Sequence, residues 1–124
     1  IRKHSPQCRV ILENTWPYAK NDYMTFGDMD TFEHALKEGA LQVAGNAGCE
    51  VSPILAAFAV ARSEGIQMYY PDNHHQSQYG SYLKSCVNYL MLYGERFSDD
   101  ASDCGLSPKI ASRLREIAES VVLK

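Results

Sequence analysis

An α/β domain with a parallel sheet is predicted by three features of this sequence. Short apolar runs without alternation occur at Arg9–Glu13 (RVILE), Cys49–Ile54 and Ile66–Tyr70, and such runs suit strands buried on both faces. Amphipathic helical stripes separate them, giving the order β-α-β-α-β-α followed by a last helix, and strands alternating with helices imply a parallel sheet with helices packed on it. The 124 residues, 45% of them hydrophobic, fill one compact core and are too few for two. A single domain over residues 1–124 is therefore expected.

Each element has its own local signals. The first strand ends at Asn14-Thr15-Trp16-Pro17, because proline has no amide hydrogen to continue a ladder. Tyr18 to Met29 reads as a polar-aromatic loop. Asp30, three residues before Glu33, fits an N-cap with a capping box. Phe32, Ala35, Leu36, Gly39, Ala40 and Val43 then fall on one face of a helix, which the breaker Gly45-Asn46-Ala47-Gly48 closes. After the second strand comes a short helix over Ala56–Arg62, stopping at Gly65. Pro71 ends the third strand, and a polar stretch from Asp72 to Ser77 follows. A helix over Gln78–Tyr93 carries Leu83, Cys86, Val87 and Leu90 on one stripe and stops at Gly94. Ser107-Pro108 places an N-cap and a first-turn proline ahead of a last helix with the stripe Ile110, Leu114, Ile117 and Val121. Only about three strands can be counted, thin for such a sheet, so the sheet reads as incomplete.

Composition removes several function classes. Ten per cent aromatics with balanced charge exclude an unfolded chain, and the scattered Gly and Pro exclude collagen-like or low-complexity classes. A net charge of −3 argues against nucleic acid or an anionic membrane surface as the main partner. No run of about 18 apolar residues exists, so no membrane-spanning helix is expected. Cys8, Cys49, Cys86 and Cys104 have no zinc-like spacing, and they read as free or buried thiols or as disulfides of undecided pairing. The first residue is Ile1 and no signal-peptide pattern leads the sequence, so either a leader or something larger is expected to have been removed. The cysteines do not decide the compartment, which stays open with a secreted or periplasmic setting leading.

In open α/β sheets ligands bind beyond the carboxyl ends of the strands. Two clusters fall there, Asn14-Thr15-Trp16 and Asp72 to Ser77. A turn at Asp72-x-x-His75 can bring the carboxylate to the imidazole Nδ1 and leave Nε2 outward, which is how a general base for a serine nucleophile is built. The same spacing also occurs in simple solvated turns. Metal binding through His74 and His75 is disfavoured, since adjacent histidines in an extended segment point opposite ways and no third ligand is evident.

The stretch from Tyr70 to Cys86 (YPDNHHQSQYGSYLKSC) resembles the final block of SGNH/GDSL-type hydrolases, in which Asp-x-x-His precedes a small polar residue, a Gly and a helix opening Tyr-Leu-x-x-Cys/Ala. Glu13-Asn14-Thr15-Trp16 and Val51-Ser52-Pro53-Ile54-Leu55-Ala56-Ala57 are similar to softer blocks of a bacterial carbohydrate-esterase-like subgroup. The resemblance runs from about Arg9 to Tyr93, with the departure that Gln76 stands where the family usually has Pro. It implies a flavodoxin-like three-layer α/β/α fold of which only the C-terminal part of the sheet is present. It also implies His75 as general base, Asp72 as its orienting partner and Trp16 lining the substrate mouth.

The family's Gly-Asp-Ser nucleophile block and its Gly-x-Asn-Asp block have no counterpart before Arg9, and Gly27-Asp28-Met29 and Lys20-Asn21-Asp22 are lookalikes in the wrong place. The expectation is therefore the C-terminal half of a serine esterase acting on a small ester or carbohydrate ester, with the serine outside this chain and no metal or organic cofactor. Its partner would be the missing N-terminal half or a complementary chain. The alternative is a non-catalytic structural or interaction subunit.

Overall fold

A computed structural model describes residues 1, 3–19 and 27–124. Most of the predicted loop, including Lys20-Asn21-Asp22, lies outside the described residues. The fold is mixed α/β. In chain order it comprises β1 (Ile11–Glu13), α1 (Met29–Ala47), β2 (Glu50–Ser52), α2 (Ile54–Ser63), α3 (Gln78–Tyr93) and α4 (Pro108–Val122). β1 and β2 pair in parallel, Ile11 opposite Glu50, Leu12 opposite Val51 and Glu13 opposite Ser52.

The capping chemistry explains the helix ends. Asp28, not Asp30, caps α1. Its carboxylate accepts from the Thr31 amide at 2.8 Å and the Thr31 hydroxyl at 3.0 Å, two bonds that the Asp30–Glu33 spacing cannot supply. α1 runs through the expected breaker as far as Ala47 and stops at Gly48, which adopts the left-handed conformation that costs glycine no Cβ clash. α3 has the predicted limits, with Ser77 as N-cap and Gly94 as C-cap. Ser107 and Pro108 open α4 as expected.

The core lies among α2, α3 and α4. Ile54, Phe58 and Ala61 meet Leu83, Val87 and Leu90 and the α4 residues Ala111, Leu114 and Ile117, all essentially buried. The sheet is tied to this core by polar contacts: buried Ser52 donates to Asn88 Oδ1 at 3.3 Å, and Asn88 Nδ2 donates to Glu13 at 2.9 Å. Lys84 pairs with Glu13 at 2.6 Å. Burial opposes ionisation of Glu13, but the bonds from Lys84 and Asn88 outweigh it and hold its carboxyl below the usual value.

Two expectations fail here. Ile66–Tyr70 is not a sheet strand, and Tyr69 forms only an isolated antiparallel bridge to Gln76. The reason is local competition for its main chain. Met68 O accepts from the Ser77 amide at 2.8 Å, Tyr70 N donates to His75 O at 2.9 Å, and Gln67 O accepts from the Ser77 hydroxyl at 2.6 Å. The segment is therefore paired with the loop that follows it. The flavodoxin-like three-layer sheet expected from the SGNH resemblance is accordingly not what the described residues form, which is a two-stranded parallel sheet with four helices. The α1 stripe is the second case. Phe32, Ala35, Leu36 and Ala40 are only half-buried and Gly39 and Val43 are exposed, Val43 by 54%, while the one buried residue of the helix, Ala44, lies off the stripe.

The cysteines are free thiols, with Cys86 buried as its place in the α3 stripe predicted. No helix among the described residues is long and apolar enough to cross a membrane.

Candidate functional site

The site is built on the loop between the Tyr69 bridge and α3. Pro71 and Asp72 form a turn closed by Asn73 N donating to Tyr70 O at 2.9 Å. Asn73 then takes φ 57°, a left-handed conformation that asparagine tolerates better than most residues. That reversal swings the next two amides back over Asp72. The amides of His74 and His75 both donate to Asp72 Oδ1 at 3.0 Å, and His75 Nδ1 lies 2.8 Å from Asp72 Oδ2. These donors, first the His74 amide and then the His75 ring, pull the Asp72 carboxyl down to about 2.

With Nδ1 on the carboxylate, Nε2 on the opposite side of the ring carries no hydrogen bond among the described residues, and the side chain is 69% exposed. No serine hydroxyl among the described residues hydrogen-bonds His75. Sequence spacing pointed to the Asp72–His75 pair. It did not point to Asn73 or to the two amides that clamp the carboxylate, although the turn-forming run Pro-Asp-Asn is the local signal for them.

Trp16 follows β1 and reaches the same place from the other side. Its ring stacks on buried Phe58 at 4.7 Å, its Nε1–H donates to His74 O at 3.1 Å, and Lys84 Nζ lies 5.7 Å from the ring centre. Ala19 N donates to Asn73 O at 2.7 Å, and Tyr69 OH donates to Pro17 O at 2.8 Å, so the chain after β1 is sewn to the His75 loop at three points. Between them is a cleft of about 210 Å³ lined by Thr15, Trp16, Tyr18, Phe32, His74 and His75. The three sequence-predicted site residues are thus brought together, Trp16 and His75 as walls and Asp72 behind His75.

α3 holds the loop from below. Ser77 Oγ accepts from the Gly80 amide at 3.2 Å. A Cβ at Gly80 would lie 2.8 Å from Met68 O, 2.9 Å from Gln76 Cβ and 3.0 Å from Phe58 Cζ, so only glycine allows the helix this close to the loop. Among the described residues no group of three or more His, Cys, Asp or Glu side chains is gathered to hold a metal ion.

No protein-family model and no curated protein matches the chain. A solved structure does, that of a DUF4886 family protein from Bacteroides uniformis, at 19% identity and a TM-score of 0.76. The match covers 93% of this chain and 48% of that one, so this chain spans about half the length of the protein it resembles. At that identity the likeness establishes the fold alone. It corrects the SGNH/GDSL identification. The motif blocks from Arg9 to Tyr93 suggested that family, but the described fold is a two-stranded sheet with four helices and its solved neighbour is a DUF4886 protein.

Proposed function

We propose that this chain contributes the base end of an ester-hydrolysing site, with His75 as general base and Asp72 as its orienting partner. The observation that carries the reading is the 2.8 Å contact of His75 Nδ1 with a carboxylate that two backbone amides already hold in place. An ionised Asp72 accepts from Nδ1–H, so the lone pair sits on Nε2 beside the cleft. From there Nε2 takes the proton of a serine hydroxyl as its oxygen adds to the ester carbonyl, and returns that proton to the departing alcohol. Water then repeats the two transfers on the acyl intermediate.

The serine lies outside this chain in this reading, and Trp16 forms one wall of the substrate mouth. The substrate is a small ester, such as an ester on a carbohydrate. The parallel pair β1–β2, whose carboxyl ends lead towards the site, is consistent with a share of a larger flavodoxin-like three-layer sheet.

The test is hydrolysis of a small chromogenic acetate by the protein that holds both this chain and the nucleophile. His75→Ala is expected to lower kcat by roughly a thousandfold or more, as loss of the base does in serine hydrolases. Equal rates for the two forms would remove the base role. This chain alone is expected to show no turnover, and the reading fails if it shows His75-independent hydrolysis.

A further inference from the structure

The sheet and α1 leave surface that their own chemistry does not suit to water. Among the described residues each strand is hydrogen-bonded on one side only, and each is three residues long. Parallel sheets are stable with both faces covered, and two strands alone are marginal. Beside the sheet, a groove of about 410 Å³ runs between Glu33, Lys37 and Leu41 of α1 on one side and Val51 of β2, Pro53, and Leu55 of α2 on the other. At roughly 30 Å³ per non-hydrogen atom, the share of one water in the liquid, it holds about fourteen such atoms, or three to four apolar side chains. Leu41 at its wall is 50% exposed.

We propose that this groove and the free edge of β2, whose Val51 lines it, take up a β-strand of a companion polypeptide segment outside residues 1–124. Two observations select that occupant. The free edge presents unpaired backbone N–H and C=O groups, which an extended strand satisfies and a helix or small apolar molecule does not. The same fold occupies 48% of the Bacteroides uniformis chain, so there it is accompanied by roughly as much polypeptide again. Alternate side chains of the added strand enter the groove and cover Leu41. The inference stands independently of the Asp72–His75 chemistry.

The experiment pairs sedimentation of the chain with selection of random peptides displayed on phage. Alone, the native chain is expected to sediment as a monomer. Selected peptides are expected to alternate apolar and polar residues. They should slow amide exchange at Glu50–Ser52 and bind Leu41→Asp at least about tenfold more weakly. Leu92→Asp, which places the same charge at another exposed leucine (62%), controls for general loss of apolar surface and should bind as the native chain does. Circular dichroism verifies that both variants fold. The proposal is overturned if no peptide is enriched or if binding is insensitive to Leu41→Asp. It is equally overturned if the native chain is a dimer that Leu41→Asp dissociates, which makes a second copy the occupant.

Discussion

The indole Nε1–H of Trp16 donates to the backbone carbonyl of His74 at 3.1 Å, joining two segments that lie 58 residues apart in sequence. Because His75 follows directly, this bond and the stack of Trp16 on Phe58 connect the core to the imidazole. Trp16→Phe keeps an aromatic ring on Phe58 but removes the donor. It is expected to cost about 1 kcal/mol in urea unfolding followed by circular dichroism, the usual net value of one hydrogen bond.

Phe58 is fully buried and forms the other half of that stack. Phe58→Ala is expected to lower stability by about 3 to 5 kcal/mol, the range for emptying an aromatic from a core. Trp16 is the single tryptophan, so its emission should shift to the red as the indole loses its cover. An unshifted spectrum in the folded variant would show that the stack does not order the indole.

The Asp72 carboxyl titrates at about 2 because the His74 amide, the His75 ring and the His75 amide favour its charged form. An unfolded aspartate titrates at about 3.9. The folded pKa is the lower one, so the stabilisation is fully present above about 4 and disappears as pH falls from there through 2. A carbon-detected titration of the Asp72 carboxyl should give the low midpoint in the native chain and a rise towards the ordinary value in His75→Ala. The native form should hold His75 with its proton on Nδ1, visible in nitrogen spectra, and Asp72→Asn should disturb that preference.

Gly80 sits where α3 presses on the site loop. Gly80→Ala gains helix propensity, yet places a methyl group against the Met68 carbonyl and Phe58. It is expected to destabilise by about 1 to 3 kcal/mol, the cost of overpacking, read as a lower Tm. The amide shifts of Asp72 to Gln76 should move more than those of α4, because the clash falls on the loop side of the helix.

Burial pushes the Cys86 thiol up to about 11, while Cys8 and Cys104 are exposed. Iodoacetamide at mildly alkaline pH should therefore label Cys8 and Cys104 in the native chain and reach Cys86 only on unfolding. Peptide mass mapping before and after addition of denaturant reads the difference.

The elements set by neighbouring residues were the legible ones. Ser77 with Gly94 and Ser107 with Pro108 mark α3 and α4 because caps and helical stripes involve groups within about a turn of each other. Asp72 and His75 were legible for the same reason, their contact being made within a single loop. Asp28 displaced Asp30 as the cap of α1 because Thr31 offers it both an amide and a hydroxyl, a competition that spacing to Glu33 does not register.

The sequence by itself determined the helices, the caps of α3 and α4 and the Asp72–His75 pair, all of which depend on hydrogen bonds and periodicities a few residues long. Tertiary structure alone decided that Trp16 meets the His75 loop, that Ile66–Tyr70 pairs with Gln76 and Ser77 instead of joining the sheet, and that Leu41 and Val43 of α1 stay exposed. An apolar run records that a segment is suited to burial. Which surface buries it depends on which distant groups satisfy its backbone, and no local pattern encodes that.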